Sequence, residues 1–131
     1  MDLQWKPEYN TGCERIDHEH MVFMDLIREF VDEAEGGRDS RALRTISQEI
    51  YKYADFHFFS EERMMARIGY AGLAEHHAIH QALMAELREY NDSLAMDSSL
   101  AIKVAEFLVC WFKTHTVTED TKLATSMSGR S

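Results

Sequence analysis

The sequence predicts an all-α fold: an antiparallel up-down-up-down four-helix bundle with an N-terminal arm. Three observations carry this. Four stretches repeat apolar residues at steps of three and four. No run alternates apolar and polar residues as a half-buried strand does. One proline and six glycines leave too little punctuation for a fold of many short strands.

The first helix is expected from about Asp17 to Glu35, with Phe23, Leu26, Ile27, Phe30, Val31 and Ala34 on one face. Asp17 is its expected N-cap, and Gly36-Gly37 its stop. The second spans about Ser40 to Arg67, through Leu43, Ile46, Ile50, Tyr53, His57, Glu61 and Met64, with Gly69 as terminator. The third runs from about Gly72 to Asp92, placing Leu73, His76, His80, Leu83, Leu87 and Tyr90 in line. The fourth starts near Ser98 and aligns Leu100, Val104, Phe107, Trp111 and His115. Short connections make neighbours antiparallel. Residues Met1 to Gly12 form the arm, anchored by Trp5 and Tyr9.

A chain of 131 residues supports one core. Its formal charge of −9 argues against nucleic acid and against an anionic membrane surface. No apolar run reaches the ~20 residues of a membrane span, and Met1 to Lys6 lacks the features of a secretory leader. A cytoplasmic location is expected. Cys13 and Cys110 lie far apart in sequence and are expected to be free and buried.

The apolar stripes carry residues that do not belong in a core. His57, Glu61, His76, His80 and His115 all occupy inward positions, and His20 joins them three residues before Phe23. One histidine on an apolar face is ordinarily a satisfied core residue. One cluster on every helix is a different pattern, because each unpartnered imidazole or carboxylate costs several kcal/mol to bury. A metal compensates for all of them at once. His57-x-x-x-Glu61 and His76-x-x-x-His80 place both members about 40° apart around a helix, so each pair can reach one centre. His115 and Asp120 lie about 140° apart on an unbroken helix. They share a centre only if the helix ends or distorts between them, as the run Thr116-Val117-Thr118 allows.

Five imidazoles and two carboxylates exceed the four ligands of a structural zinc. They suit two six-coordinate first-row ions rather than calcium or magnesium, which take all-oxygen shells. The residues alone leave iron and manganese both open. His18 and His77 fall off the stripes and are expected to face solvent, and Glu62 to be a surface charge.

Four segments together resemble the hemerythrin family, specifically its bacterial hemerythrin-like domains. They are Gly12 to His20, ending Ile16-Asp17-His18-Glu19-His20; His57-Phe58-Phe59-Ser60-Glu61-Glu62; Gly69-Tyr70 through His76-His77-Ala78-Ile79-His80; and Trp111-Phe112-Lys113-Thr114-His115 with Asp120. The resemblance covers roughly residues 3 to 122, in the family's order and spacing. It implies two iron ions, Fe2+/Fe3+, bridged by an oxo or hydroxo group and by Glu61 and Asp120. His76, His80 and His115 would hold one iron, and His20 and His57 the other. Dioxygen would then bind at the open position of the two-histidine iron. Phe23, Met24, Phe58, Trp111 and Phe112 are the candidate lining of that pocket, tightened where Phe112 replaces the family's more usual leucine.

Oxygen-activating di-iron bundles carry Glu-x-x-His pairs, and this chain has none. Binding rather than turnover is therefore expected. The domain is read as residues 1–122 and residues 123–131 as a linker-like tail, so the chain looks like a module of a longer bacterial signalling protein. An oxygen or redox sensor with a C-terminal output domain is the favoured reading. A free-standing oxygen carrier or store is the alternative, and an enzyme acting on peroxide or nitric oxide is the third.

Overall fold

A computed structural model describes residues 3–37, 39–115, 122, 123 and 125. The four predicted helices form, and the described residues contain no strand. They are α1 (Glu14–Asp32), α2 (Ser40–Ile68), α3 (Leu73–Met96) and α4 (Ala101–His115). Each stripe turns inward, and the four helices pack as an antiparallel bundle in which α1 meets α2 and α4, and α3 meets the same two. Ile27, Phe30, Leu43, Ile50, Leu94, Val104 and Leu108 are fully or almost fully withdrawn from solvent. No helix among the described residues is long and apolar enough to cross a membrane.

The helix ends show where local chemistry decided. α2 begins behind Asp39, whose Oδ1 accepts from the backbone N–H groups of Arg41 (3.0 Å) and Ala42 (3.4 Å). It ends at Gly69, held at φ 65°, a left-handed conformation that costs a side-chain-bearing residue. Asp39→Ala should therefore lower stability by about 1 kcal/mol, seen as a lower urea midpoint with an unchanged slope.

Asp17 is not the cap of α1. The helix starts three residues earlier, after Cys13. The Asp17 carboxylate instead reaches back to the arm, accepting from Thr11 N (2.8 Å), Thr11 Oγ1 (2.7 Å) and Gly12 N (3.3 Å). α1 widens into a single π turn, Glu33–Gly37, where the glycines were expected to stop it. α3 runs four residues past Asp92, and a 3-10 turn, Ser98–Leu100, precedes α4. Asp97 caps that turn through Ser99 N (3.0 Å) and Ser99 Oγ (2.6 Å). These bonds to Ser99 hold the Asp97 carboxyl below its ordinary pKa.

The arm lies on the bundle as expected. Tyr9 is buried edge-on to Phe112 (6.0 Å) and to Trp5 (5.5 Å), and Leu3 is buried beside it. Both cysteines are free, but Cys110 is exposed and Cys13 only half-buried. Along α4, Leu108, Val109 and Phe112 take the inward positions, and Cys110 falls on the outer face between them. Leu123, the first residue of the expected tail, is buried against Ile16 and Met65.

Candidate metal centre

The inward turn of the four stripes brings His20 from α1, His57 and Glu61 from α2, His76 and His80 from α3 and His115 from α4 into one buried cluster. Glu61 is its middle. Its side chain is wholly buried, and its two oxygens face different groups. Oε1 lies 2.8 Å from His76 Nε2 and 3.2 Å from His80 Nε2. Oε2 lies 3.5 Å from His57 Nε2 and 4.0 Å from His20 Nε2. Ligand-capable atoms therefore fall into two sets sharing one carboxylate: Glu61, His76, His80 and His115, and His20, His57 and Glu61, with the atoms of each set within 4.8 Å of one another. Six of the seven expected ligand residues are thus together. Asp120, and the expected break after His115, lie outside the described residues.

The aromatic residues named as candidate pocket lining divide between the two histidine sets. Phe58 stacks flat on His80 at 4.0 Å and 7°. Trp111 lies nearly parallel to His115 at 5.3 Å. Phe112 meets His20 edge-on at 6.1 Å, and Phe23 meets His57 at 6.3 Å. Met24 is buried in the same core.

Two carboxylates close the outer side of the cluster, and neither was expected there. Glu19 accepts from His57 Nδ1 (2.8 Å), Ser60 Oγ (2.9 Å) and Arg15 Nε (3.3 Å). Burial alone would raise its pKa, but the bonds from His57 and Ser60, aided by Arg15, outweigh burial and hold it below the ordinary value. Tyr53 donates to the Glu19 carbonyl at 3.2 Å. Burial, and then the Glu19 charge, push the Tyr53 phenol up to about 12, so it stays a donor at any ordinary pH.

Glu62 was expected to be a free surface charge. It is only 20% exposed, and it accepts from His80 Nδ1 at 2.7 Å and from the exposed His77 at 2.5 Å. Spacing did carry a signal for Glu19, which lies four residues before Phe23 and three after Ile16 on the buried face. Glu62 lies four after Phe58 in the same way.

The donor set fits a metal. His57 and His80 each give Nδ1 to a carboxylate, which leaves Nε2 facing inward. Among the described residues those two Nε2 atoms are buried and make no hydrogen bond. An imidazole whose outer Nδ1 is bonded to a carboxylate and whose Nε2 faces inward can offer that inner nitrogen to a cation.

A helical bundle that gathers five imidazoles around one shared buried carboxylate belongs to the histidine-rich, non-haem metal-binding bundles. Sequence comparison makes the class specific, because the family model described as the hemerythrin HHE cation binding domain matches residues 11–126. The chain belongs to the hemerythrin family. It is 28% identical to a bacteriohemerythrin of Clostridium acetobutylicum, over 88% of this chain and 94% of that protein. It is 26% identical to a bacteriohemerythrin of Pseudomonas aeruginosa, over 90% and 76%. It is 29% identical to a myohemerythrin of Riftia pachyptila, over 80% of each. A crystal structure of a hemerythrin mutant shares the fold, with a TM-score of 0.87 at 24% identity over 95% of this chain and 96% of that one. Hemerythrins are oxygen-binding di-iron proteins rather than enzymes.

Proposed function

We propose that this chain is a non-haem di-iron domain that binds dioxygen as a sensor module of a bacterial signalling protein. The observation that carries the metal assignment is Glu61, buried and with one oxygen turned to each imidazole group. In this reading His76, His80 and His115 would hold one iron and His20 and His57 the other, with Glu61 and Asp120 as the carboxylates shared between them. Such an iron pair would supply reversible electron transfer to dioxygen. The chain's own residues do the rest. Phe23 and Phe112 present hydrocarbon to the two-histidine side, keep water away and offer no proton. Among the described candidate ligands Glu61 is the one carboxylate, and an imidazole-rich inner shell favours binding over oxidation of a substrate.

The sensor reading takes the domain as residues 1–122 and the tail as 123–131. Leu123 packs on Ile16 of α1 and Met65 of α2, helices that carry candidate ligands. A shift in either helix would reach the start of the tail directly. Carriage or storage in the cytoplasm is the second reading. It is favoured by the Clostridium acetobutylicum relative, 94% of whose length this chain covers, so that relative has little room for an output domain.

Loading with iron, reduction, and exposure to air test the proposal. Two irons per chain and a visible absorption band that comes with air and leaves under argon are expected. A colourless protein, or one that oxidises without any oxygen-reversible band, overturns dioxygen binding. Persistence of the band favours the carrier, and rapid decay to the ferric form favours the sensor.

A further inference from the structure

The two outer carboxylates divide the centre between them. We infer that Glu19 and Glu62 are positioning residues, one for each half: Glu19 fixes His57 on the two-histidine side, and Glu62 fixes His80 on the three-histidine side. The inference rests on the ligand assignment proposed above.

The geometry gives each carboxylate one specific task. An imidazole on a flexible side chain can offer either nitrogen, and its proton can sit on either. A carboxylate accepting from Nδ1 settles both choices for the neutral ring: the proton sits on Nδ1 and Nε2 keeps its lone pair. His57 and His80 show this arrangement, with Nδ1 at 2.8 Å from Glu19 and 2.7 Å from Glu62. Their Nε2 atoms face Glu61 at 3.5 Å and 3.2 Å.

The two carboxylates are held differently. Ser60 and Arg15 take Oε2 of Glu19, so Oε1 remains for His57, and the side chain is only 7% exposed. This is a rigid mount. Glu62 instead spans His80 and the exposed His77. It borders a cavity of about 430 Å³ between α2 and α3 that also touches Phe58, Phe59, His77 and His80. The His80 mount is therefore the one that solvent reaches, and its iron is the one a chelator should take first.

The test uses the iron-loaded protein and four variants: Glu19→Leu, Glu62→Leu, Glu19→Gln and Glu62→Gln. Iron release to a chelator measures affinity, Mössbauer spectra show which iron leaves, and a redox titration gives the potential. Each leucine variant should hold iron about 10–100-fold more weakly. Glu19→Leu should lose the two-histidine iron first, and Glu62→Leu the three-histidine iron. The glutamines retain an acceptor oxygen for Nδ1–H, so they should keep both irons while the loss of negative charge raises the reduction potential. A merely structural role would lower stability without moving the potential or selecting one iron.

Leucine variants with unchanged affinity and spectra overturn the inference, and so does loss of the same iron from both. Glu62→Leu, at a part-exposed position, keeps the test decisive should Glu19→Leu not fold. A wild-type protein that takes up no iron overturns the ligand assignment itself, and so is told apart from a failure of the two positioning roles.

Discussion

Glu61→Leu is expected to empty the protein of iron while leaving its helices intact. Glu61 is the one described side chain common to both ligand sets, so its loss removes a ligand from each iron together. It also removes the carboxylate that faces the inner nitrogens of four imidazoles, three of which have Nε2 within 3.5 Å of its oxygens. Two cations held close together among neutral rings repel, and no described carboxylate remains between them. The affinity loss should therefore exceed the ~10–100-fold typical of removing an outer partner. Stability of the metal-free protein should change far less. Replacing a buried charge by an apolar residue of similar size is often neutral once its partners are neutral, and imidazoles can be. Iron analysis with far-ultraviolet circular dichroism checks both halves of the expectation. Full iron content in this variant would rule out Glu61 as a bridge.

That prediction was open to sequence reasoning because Glu61 breaks a rule. A carboxylate in the stripe Ile50, Tyr53, His57, Glu61 has nowhere to go but the core, and the structure places it there with no exposure. The same logic found His20, His57, His76, His80 and His115. It failed where a residue sits one step off the stripe. Glu62 adjoins Glu61, and adjacent helical positions lie about 100° apart, so it was read as a surface charge, while Glu19 beside His20 was given no role although each lies four residues from a buried phenylalanine. Their inward reach comes from side-chain length and from partners on other helices, His57 for Glu19 and His77 and His80 for Glu62. Cys110 shows the reverse error. Its apolar neighbours suggested burial, but the helical angle carries it outward. Asp17 was expected to cap α1, but it lies inside the helix and its carboxylate satisfies the arm rather than the helix end, a tertiary choice that local spacing does not encode.

Phe112→Ala is expected to be the most destabilising change in the apolar lining, at about 3–5 kcal/mol. Domains of this kind have only about 5–15 kcal/mol in total, so the variant should sit near its unfolding threshold. The reason is the number of elements that meet on this ring. Phe112 is 1% exposed and touches Tyr9 of the arm, and His20 and Phe23 of α1. Truncation opens a void among partners held on two separate elements, the arm and α1, neither of which can collapse inward alone. The arm should loosen first, because Tyr9 loses the core ring it packs against, and its amide hydrogens should exchange faster before the midpoint of global unfolding moves. Phe112→Leu isolates the functional part. Leucine keeps most of the volume, so the cost should fall to about 1 kcal/mol, with both irons retained. It leaves a gap beside His20, on the side proposed to stay open for dioxygen. Reoxidation of the reduced protein in air should then quicken, since the ring no longer excludes water there. Denaturant titration and the rate of reoxidation separate the two effects. A Phe112→Leu protein with an unchanged rate would show that this ring supports the fold without guarding the site.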